Sequence, residues 1–463
     1  MTTDFASLGL APALLTAIDQ LGYTTPTPIQ AAALPPALAG ADVLGQAETG
    51  SGKTAAFGLT ALQRLTDARH PQALVLCPTR ELAEQVADAV RQLAQRRADT
   101  RVLVLCGGRP IRPQRLALDQ GAQVVVGTPG RVADLLRSGD FDPTGVRTLV
   151  LDEADRLLDM GFVDEVQGIV DRCPPDRQTL LFSATFPDAI AALSARIQRD
   201  PVRVSVSSTV ASDRLRQLVF HLEPDGNRHA QIAALLAEHA QQDDASALLF
   251  CETRVDCDRL ARFLSQRGAA ALALHGRLEQ RERDDVLVQF ANGSCRLLVA
   301  TDVAARGLDI PALPLVIVTE VSPIPENHVH RIGRTGRAGE PGLALTVVRG
   351  PVEAQRLAAV EALLGAPIPV GPPVTAEPRL AFLASTNQTV VLLRGRKHKL
   401  RKGDVLGALV KDAKLPADAI GRIDLADTTC AIAIRRDVVV QALRFFQRSR
   451  VKNKRMPVVL LGE

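Results

Sequence analysis

The chain has 463 residues, of which 46% are hydrophobic and 23% are charged, an ordinary mixture for globular domains. At about 100–200 residues per domain, this length predicts about three domains, each able to bury a core of its own. The seven cysteines are scattered without C-x-x-C spacing. This pattern excludes a disulfide framework, indicates no zinc site or other metal cluster, and favours the reducing cytoplasm.

Membrane insertion and secretion are also disfavoured. No stretch of about 18 residues is apolar throughout, so we expect no membrane-spanning helix and no membrane partner. The first 21 residues contain Asp4 and Asp19 but no basic residue, which does not fit a secretory signal. We therefore expect a cytoplasmic protein.

The net charge of +4 is unevenly distributed along the chain. Residues 380–463 contain 17 Lys and Arg but only 7 Asp and Glu, a net charge of +10. The remaining residues contain 38 basic and 44 acidic side chains, a net charge of −6. A strongly basic segment of 84 residues predicts binding of a polyanion such as a nucleic acid.

Short apolar runs alternate with helical patterns through most of the chain. The runs that predict strands are residues 73–77, 101–106, 123–126, 148–151 and 179–182, then 247–251, 271–274, 297–300, 315–318 and 343–347. Helical patterns between them include residues 80–95, 255–266 and 279–290. This alternation predicts doubly wound parallel α/β sheets in two similar domains, residues 1–206 and 215–365, joined by a polar linker at 207–214.

A third domain is expected at residues 380–463, because the Pro/Gly-rich stretch 366–374 ends the preceding pattern. The elements expected there are a strand at 389–393, a helix at 404–413, strands at 421–426 and 429–434, a helix at 437–448 and a strand at 457–461. This βαββαβ order is that of a small α+β RNA-recognition domain.

Residues 47–54 match the P-loop pattern, between an apolar run at 42–44 and a helical pattern at 55–64. Gly50 and Gly52 allow backbone N–H groups to point at phosphate oxygens. Lys53 would neutralise the β- and γ-phosphates, and the Thr54 hydroxyl would bind Mg²⁺. The sequence therefore predicts a nucleoside triphosphate site.

Two further segments supply what phosphoanhydride hydrolysis requires. Asp152 follows a predicted strand and would hold Mg²⁺, partly through water, while Glu153 would activate the attacking water. Residues 330–337 are rich in arginine. Arg334 and Arg337 would act as arginine fingers, a device that raises the rate by ~10³–10⁵ in other enzymes. Hydrolysis would then depend on closure of the two domains.

In order and spacing, these segments resemble the DEAD-box family of RNA helicases over about residues 1–350. The resemblance implies two RecA-like domains and a Q motif at residues 22–30, which would make the nucleotide ATP. The implied ATP contacts are Phe5, Gln30, Thr49, Gly50, Ser51, Gly52, Lys53, Thr54, Gly307 and Asp309. The residues implied to couple hydrolysis to strand separation are Asp155, Ser183, Thr185 and His330.

The same resemblance implies an RNA backbone grip made of small residues, helix N-termini and arginines. In the first domain these are Arg80, Gly108, Thr128, Gly130 and Arg131, and in the second they are Arg283 and Thr301. Residues 396–409 and 420–423 are similar to the RNA-binding domain of DbpA-type bacterial helicases. This similarity implies a hairpin of 23S ribosomal RNA or a pre-50S particle as partner, and a role in large-subunit assembly.

The C-terminal segment departs from that family at several positions. Asn453 stands where the family usually has glycine, Pro457 and Val459 where it has basic residues, and Cys430 where an aromatic is common. Because the sheet lacks aromatic pairs for stacking, we expect the RNA contacts on loops 394–402 and 448–455. The residues expected to make them are Arg396, Lys397, Lys399, Lys452 and Lys454.

Three functions remain open at this point. The first is an RNA-stimulated ATPase that unwinds short duplexes, the second an ATP-gated RNA clamp, and the third a DNA translocase. The hydrolytic residues Glu153 and Arg334 favour the first over the clamp. The Q-motif-like start and the RNA-type C-terminal segment argue against the DNA translocase.

Overall fold

Three larger β-sheets and one two-stranded sheet organise the described residues. The computed structural model describes residues 4–47, 50–186, 188–206, 215–223, 226–240, 246–305, 313–336, 341–374, 379–452 and 454–462. These residues pack as two compact units, one ending at 206 and the other starting at 215. The predicted linker 207–214 lies outside the described residues.

The first unit is a parallel α/β domain. Its strands are β1 (Val43–Gln46), β2 (Ala73–Leu76), β3 (Val102–Leu105), β4 (Val124–Gly127), β5 (Thr148–Leu151), β6 (Gln178–Ser183) and β7 (Val202–Ser205). Its helices are α1 (Pro12–Gln20), α2 (Pro28–Leu38), α3 (Lys53–Gln63), α4 (Arg80–Leu93), α5 (Ile111–Asp119), α6 (Pro129–Arg137), α7 (Ala154–Asp159), α8 (Val163–Val170) and α9 (Asp188–Ile197), after a 3₁₀ turn at Phe5–Leu8.

The strand order of this sheet, β3-β4-β2-β5-β6-β1-β7, determines where its loops lie. All neighbouring strands are parallel, so every strand ends at the same edge. Ligands in open parallel sheets bind at that carboxyl edge. The predicted P-loop follows β1. The segment with Ser183 and Thr185 follows the neighbouring strand β6, and the acidic segment follows β5, which is the next strand beyond β6. The predicted RNA-binding segments follow β2, β3 and β4 in the other half of the sheet.

The second unit begins with another parallel sheet, of order β10-β11-β9-β12-β13-β8. Its strands are β8 (Leu215–Leu222), β9 (Ala247–Cys251), β10 (Ala271–Leu274), β11 (Leu297–Thr301), β12 (Leu315–Val318) and β13 (Gly342–Arg349). Its helices are α10 (Arg228–His239), α11 (Arg254–Ser265), α12 (Gln280–Ala291), α13 (Asp302–Ala305), α14 (Pro325–Ile332) and α15 (Gly350–Leu364). The predicted fold class, two RecA-like parallel-sheet domains with a small α+β domain, is confirmed.

The C-terminal sheet is antiparallel, with the order β15-β16-β14-β19. Its elements are β14 (Asn387–Leu392), α16 (Lys402–Gly407), β15 (Ile420–Leu425), β16 (Cys430–Arg435), α17 (Val439–Arg448) and β19 (Val458–Leu460), with a β17 (Arg450–Val451)–β18 (Lys454–Arg455) hairpin before the last strand. A π-helical turn, Ala408–Asp412, extends α16. Val390, Ile432 and Phe446 belong to the core between this sheet and its helices.

The opposite face of the C-terminal sheet docks on the second parallel domain. Thr389 is 0% exposed, and its hydroxyl exchanges hydrogen bonds with the Asn292 side chain at 2.9 and 3.2 Å. Ser385 Oγ donates to the Gly293 carbonyl at 2.7 Å, and Arg422 donates to the Ala291 carbonyl at 3.3 Å. The loop after α12 therefore covers part of the sheet face that would otherwise be open to solvent.

The seven cysteines are all buried and free, from Cys77 in the first unit to Cys430 in the last sheet. Among the described residues, every helix is too short or too polar to cross a bilayer.

The Asn292–Thr389 pair yields a stability prediction. Removing one partner leaves the other buried without its hydrogen bond, a loss of about 1–3 kcal/mol, whereas removing both costs less than the sum. We expect Asn292→Ala and Thr389→Val each to lower the urea midpoint of unfolding, and the double variant to lower it less than additively. Strictly additive shifts would show that the two side chains do not interact across the interface.

Candidate nucleotide and RNA sites

The P-loop connects β1 to α3 at the carboxyl edge of the first sheet. Gly50 and Gly52 have φ angles of +85° and +97°, in the left-handed region that favours glycine. Lys53 is buried at the start of α3 and donates to the Ala47 carbonyl at 2.9 Å. The Lys53 ammonium group therefore lies at the N-terminus of α3, where backbone N–H groups favour a phosphate. The predicted contact Thr49 lies outside the described residues.

Gln30 joins the Q-motif segment to this loop. Its Oε1 accepts a hydrogen bond from the Thr27 N–H at 3.0 Å, and its Nε2 donates to the Gly52 carbonyl at 3.1 Å. A cavity of about 340 Å³ opens beside it, lined by residues 22–25, 27, 30, 52, 54, 55, 89 and 93. The size and position of this cavity suit an adenine base next to the phosphate loop.

The aromatic residues near this cavity differ from the expectation. Tyr23 lines it and is 42% exposed. Phe5 is buried in the core of the unit together with Leu14 and Ile18, and the cavity lining does not include it. The stacking role of Phe5 stays a prediction, and Tyr23 is an aromatic neighbour that the sequence analysis did not single out.

Two acidic residues follow β5, which lies two strands from β1. Burial raises the pKa of Asp152 to about 6; nearby Lys53 lowers this pKa and neighbouring Glu153 raises it. Glu153 is buried and has a φ of +49°, a left-handed conformation that costs a non-glycine residue about 1–2 kcal/mol. Such strain is often retained at functional sites. Its neighbour Asp152 accepts the Glu153 N–H at 3.0 Å.

Asp155 joins the segments that follow β5 and β6. Its Oδ2 accepts hydrogen bonds from the Thr185 N–H at 3.2 Å and from the Thr185 hydroxyl at 3.1 Å. The Ser183 hydroxyl accepts the Asp155 N–H at 3.3 Å and donates to the Thr185 carbonyl at 2.7 Å. These hydrogen bonds connect the two segments, whereas their role in coupling stays a prediction.

The other half of the same edge carries the predicted RNA grip. The Arg80 guanidinium lies against Gly108, so closely that a Cβ at Gly108 would collide with its Nη1. Thr128 precedes α6, and a Cβ on Gly130 in the first turn of that helix would meet open space. Arg131 in the same turn donates to the Arg109 carbonyl at 3.2 and 3.3 Å. Two helix N-termini and two arginines therefore lie at one edge, an arrangement suited to a phosphate backbone.

The arginine-rich segment of the second unit divides into two roles. Arg331 is fully buried and pairs with Asp302 and Glu252, each at 2.7 Å, so it is a structural residue inside the cluster. Arg334 is also buried, directly after α14, and His330 lies on that helix. Arg337, Gly307 and Asp309 lie outside the described residues, so their predicted roles stay predictions.

The predicted RNA residues of the second unit lie on two elements. Thr301 is the last residue of β11, and Arg283 lies in the first turn of α12. Nearby, His275 is buried and its Nε2 lies 2.9 Å from Asp258 Oδ1.

The two basic loops of the C-terminal domain lie together. Lys454 Nζ donates to the His398 carbonyl at 3.3 Å, and Arg394 Nε donates to the Arg455 carbonyl at 2.8 Å. The exposed basic side chains on these loops are Arg396, Lys397, Lys399, Arg401, Lys402, Arg448, Arg450, Lys452, Lys454 and Arg455. Asp427 and Asp404 pair with three of them, Arg396, Lys397 and Lys452. The loops form one basic surface that adjoins the sheet, which we call the basic loop surface.

Comparisons with known proteins match every part of this arrangement. The family model for the DEAD/DEAH box helicase matches residues 27–193, that for the helicase conserved C-terminal domain 230–339, and that for the DbpA RNA binding domain 389–459. The ATP-dependent RNA helicase DbpA of Escherichia coli is 47% identical over 461 residues, which cover 99% of this chain and 100% of that protein. The DEAD-box ATP-dependent RNA helicase CshA of Bacillus cereus is 41% identical over 361 residues, 78% of this chain and 68% of that protein.

Two solved structures, both bound to RNA and a nucleotide, align with most of this chain. Dbp5 of S. cerevisiae bound to RNA and ADP BeF3 aligns with a TM-score of 0.71 and 31% identity, covering 79% of this chain and 95% of that chain. Mss116p bound to single-stranded RNA and AMP-PNP aligns with a TM-score of 0.72 and 28% identity, covering 80% of this chain and 79% of that chain.

The packing at Gly52 yields a prediction for nucleotide binding. A Cβ there would lie 2.5 Å from Gln30 Nε2 and 2.9 Å from Thr27 Oγ1, at a φ that L-residues rarely adopt. We expect Gly52→Ala to weaken ATP binding by about tenfold or more, since strain of about 1–2 kcal/mol falls on the loop itself. Gly168→Ala, on α8 with no atom within 4 Å of its Cβ, is the matched control. Equal ATP affinity in both variants would contradict the proposed link between Gln30 and the loop.

Proposed function

Because this chain belongs to the DbpA type of DEAD-box ATP-dependent RNA helicases, which hydrolyse ATP, we propose that it remodels structured 23S ribosomal RNA during assembly of the large ribosomal subunit. In this role it acts in the cytoplasm on an RNA hairpin or a pre-50S particle. The C-terminal domain binds the RNA target and holds the two RecA-like domains beside the duplex that they separate.

The observation that carries this proposal is the basic loop surface. The domain that bears it is matched by the DbpA RNA-binding family and is strongly basic. Part of its sheet face is occupied by the loop after α12 through Asn292 and Thr389, so the RNA contacts belong on the loops. Many contacts from Lys and Arg to phosphates give affinity, and specificity then depends on the shape of the hairpin.

The departures from the DbpA pattern lie next to this surface. Val459 pairs with Val391 in the edge strand β19, and the Pro457 carbonyl accepts a hydrogen bond from the Leu393 N–H at 2.8 Å. Both residues therefore serve the sheet rather than the loops. Asn453 lies outside the described residues.

At the ATP site, each residue has a separate role in the proposed hydrolysis. Lys53 and the P-loop N–H groups hold the phosphates, and Glu153 takes a proton from the water that attacks the γ-phosphorus as the bond to ADP breaks. Arg334 and Arg337 stabilise the negative charge that develops on the transferred phosphoryl group. Hydrolysis then depends on the second RecA-like domain, which makes ATP turnover responsive to RNA.

Mg²⁺ fits this site by the chemistry of its donors. The carboxylate of Asp152 and the hydroxyl of Thr54 are hard oxygen ligands, and Mg²⁺ in nucleotide sites is usually held by one or two protein oxygens plus phosphates and water. When bound, the ion neutralises phosphate charge. The buried Asp152 is favoured as a carboxylate by any cation beside it.

Steady-state ATPase activity tests the proposed target. The full chain is assayed without RNA, with bulk ribosomal RNA, with a short 23S-type hairpin and with a scrambled hairpin of equal length. We expect strong stimulation by the 23S-type hairpin and weak stimulation by its scrambled form. Equal stimulation by every RNA would still be consistent with an RNA helicase but would contradict the proposed ribosomal RNA target.

Glu153→Gln separates an enzyme from an ATP-gated clamp. The amide keeps the size of the side chain and one acceptor oxygen but cannot take up the proton, so we expect turnover to fall by about 10²–10⁴-fold. ATP-dependent RNA binding should persist in the same preparation. Full turnover in this variant would exclude Glu153 as the base.

Salt dependence tests the basic loop surface. We expect the triple variant Lys399→Gln, Arg401→Gln, Lys454→Gln to reduce the log–log salt slope for single-stranded RNA by about 2, at about 0.7 per lost phosphate contact. The control is Arg203→Gln, an exposed arginine on β7. An unchanged slope in the triple variant would mean that these side chains serve only solubility.

A further inference from the structure

The first RecA-like domain has a second concave site, at the opposite edge of its sheet. The cavity has a volume of about 410 Å³ and is lined by residues 64, 66, 70, 72, 144–147, 174, 176 and 177. These residues precede β2, β5 and β6 or follow α3, so they lie where the strands begin. The ATP site lies where the same strands end. One strand length, four to six residues at about 3.3 Å each, separates the two edges.

The cavity is strongly cationic. Arg64, Arg147 and Arg177 line it, and the only carboxylate in the lining is that of the exposed Asp176. Within the described part of the chain, none of the three guanidinium groups forms an ion pair. Three uncompensated positive charges around one concave surface give it a positive potential that favours an anion.

The guanidinium group of Arg177 is held in a fixed position beside this cavity. Its side chain is buried, with the residue only 9% exposed. Nη1 donates to the Pro174 carbonyl at 2.9 Å and Nη2 donates to the Ile197 carbonyl at 3.3 Å. These neutral carbonyls fix the guanidinium in place but leave its charge uncompensated, and burying such a charge is costly without a counter-ion.

Two of the lining arginines each have a buried hydrogen-bond donor without a partner. The Nε groups of Arg177 and Arg64 are both buried without a partner among the described residues. Buried N–H groups are satisfied in the great majority of cases, so neither guanidinium group is fully paired within the domain. The rim of the cavity is tightly packed. His70 lies so close to Gly145 that a Cβ at position 145 would collide with the imidazole ring.

We propose that this cavity binds a small phosphate-bearing anion, of the size of pyrophosphate or a nucleoside phosphate. Arginine forks match phosphate oxygens bidentately, and three of them exceed what a single carboxylate needs. The volume lies within the range of small-ligand pockets, about 300–1,000 Å³. The site is separate from the ATP site and from the RNA grip, since both of those lie at the other edge of the sheet.

Calorimetric titration of the full chain with inorganic pyrophosphate tests this proposal. The protein is first saturated with ADP, so that the P-loop cannot take up the probe. We expect one further binding site in the wild type. The double variant Arg64→Gln, Arg147→Gln should bind pyrophosphate at least tenfold more weakly, because it loses two of three charges. Both residues are at least partly exposed, so the fold should survive the change.

Two further variants complete the design. Arg203→Gln, on the surface of β7, removes one positive charge elsewhere and should leave binding unchanged. Arg177→Met should abolish the site, with circular dichroism checking that the domain is folded. Absence of a second site in the ADP-saturated wild type would overturn the proposal, as would equal affinity in the double variant.

The same variants distinguish a small anion from the phosphate backbone of an RNA. If pyrophosphate does not bind but the double variant weakens binding of a single-stranded RNA, the cavity is an RNA contact and the small-anion proposal is wrong. If pyrophosphate binds and RNA affinity is the same in both proteins, the small-anion assignment stands. RNA binding by the Arg203→Gln variant sets the effect of losing one surface charge.

Discussion

The parallel register of β1, β6 and β5 is the constraint on which the active edge of this protein depends. Gln46 lies beside Ser183, and Leu151 lies beside Leu181, because the strands run in the same direction and in register. Three segments that are separated by about a hundred and thirty residues at most therefore emerge together. An antiparallel pairing would send one of them to the opposite edge and leave the phosphate loop without its acidic neighbours.

The same constraint places the predicted ATP-site and RNA-site segments on one edge of the sheet. The half of the edge formed by β5, β6 and β1 carries the residues predicted to act in hydrolysis. The half formed by β3, β4 and β2 carries Arg80, Gly108 and Arg131, which are predicted to bind RNA. Asp155 lies at the start of the helix that follows β5 and holds the segment after β6 through Thr185. Because this contact is local, the predicted coupling would need only a few hydrogen bonds rather than a change through the whole domain.

The sequence predicted the central strands well, because buried parallel strands are continuous apolar runs. It missed β7 and β8, which border the linker. Three of the four residues of β7 are exposed, and β8 contains the exposed Arg216 and His221, so neither strand is a continuous apolar run. The sequence predicted a helix that begins at Asp404, whereas α16 begins at Lys402. Asp404 lies in its first turn and accepts the Arg401 N–H at 2.8 Å.

The sequence predicted those parts of the site whose residues are adjacent in the chain, but not those that join distant residues. The P-loop and the acidic segment are short continuous patterns. The arginine-rich segment had no pattern that distinguishes the buried Arg331 from its neighbours. The docking pair Asn292 and Thr389 and the cationic cavity around Arg177 join residues that are far apart in sequence, and single side chains of this kind give no local signal.

The most direct test of this account is the number of RNA duplexes separated per ATP hydrolysed. The double variant Ser183→Ala, Thr185→Val removes the hydroxyl contacts with Asp155 and nearly keeps the side-chain volumes. Both quantities would be measured in one reaction with a short RNA duplex, for the variant and the wild type. The account predicts a ratio that falls by at least tenfold while ATP is still consumed. An unchanged ratio would contradict the claim that the hydrogen bonds of Asp155 couple hydrolysis to strand separation.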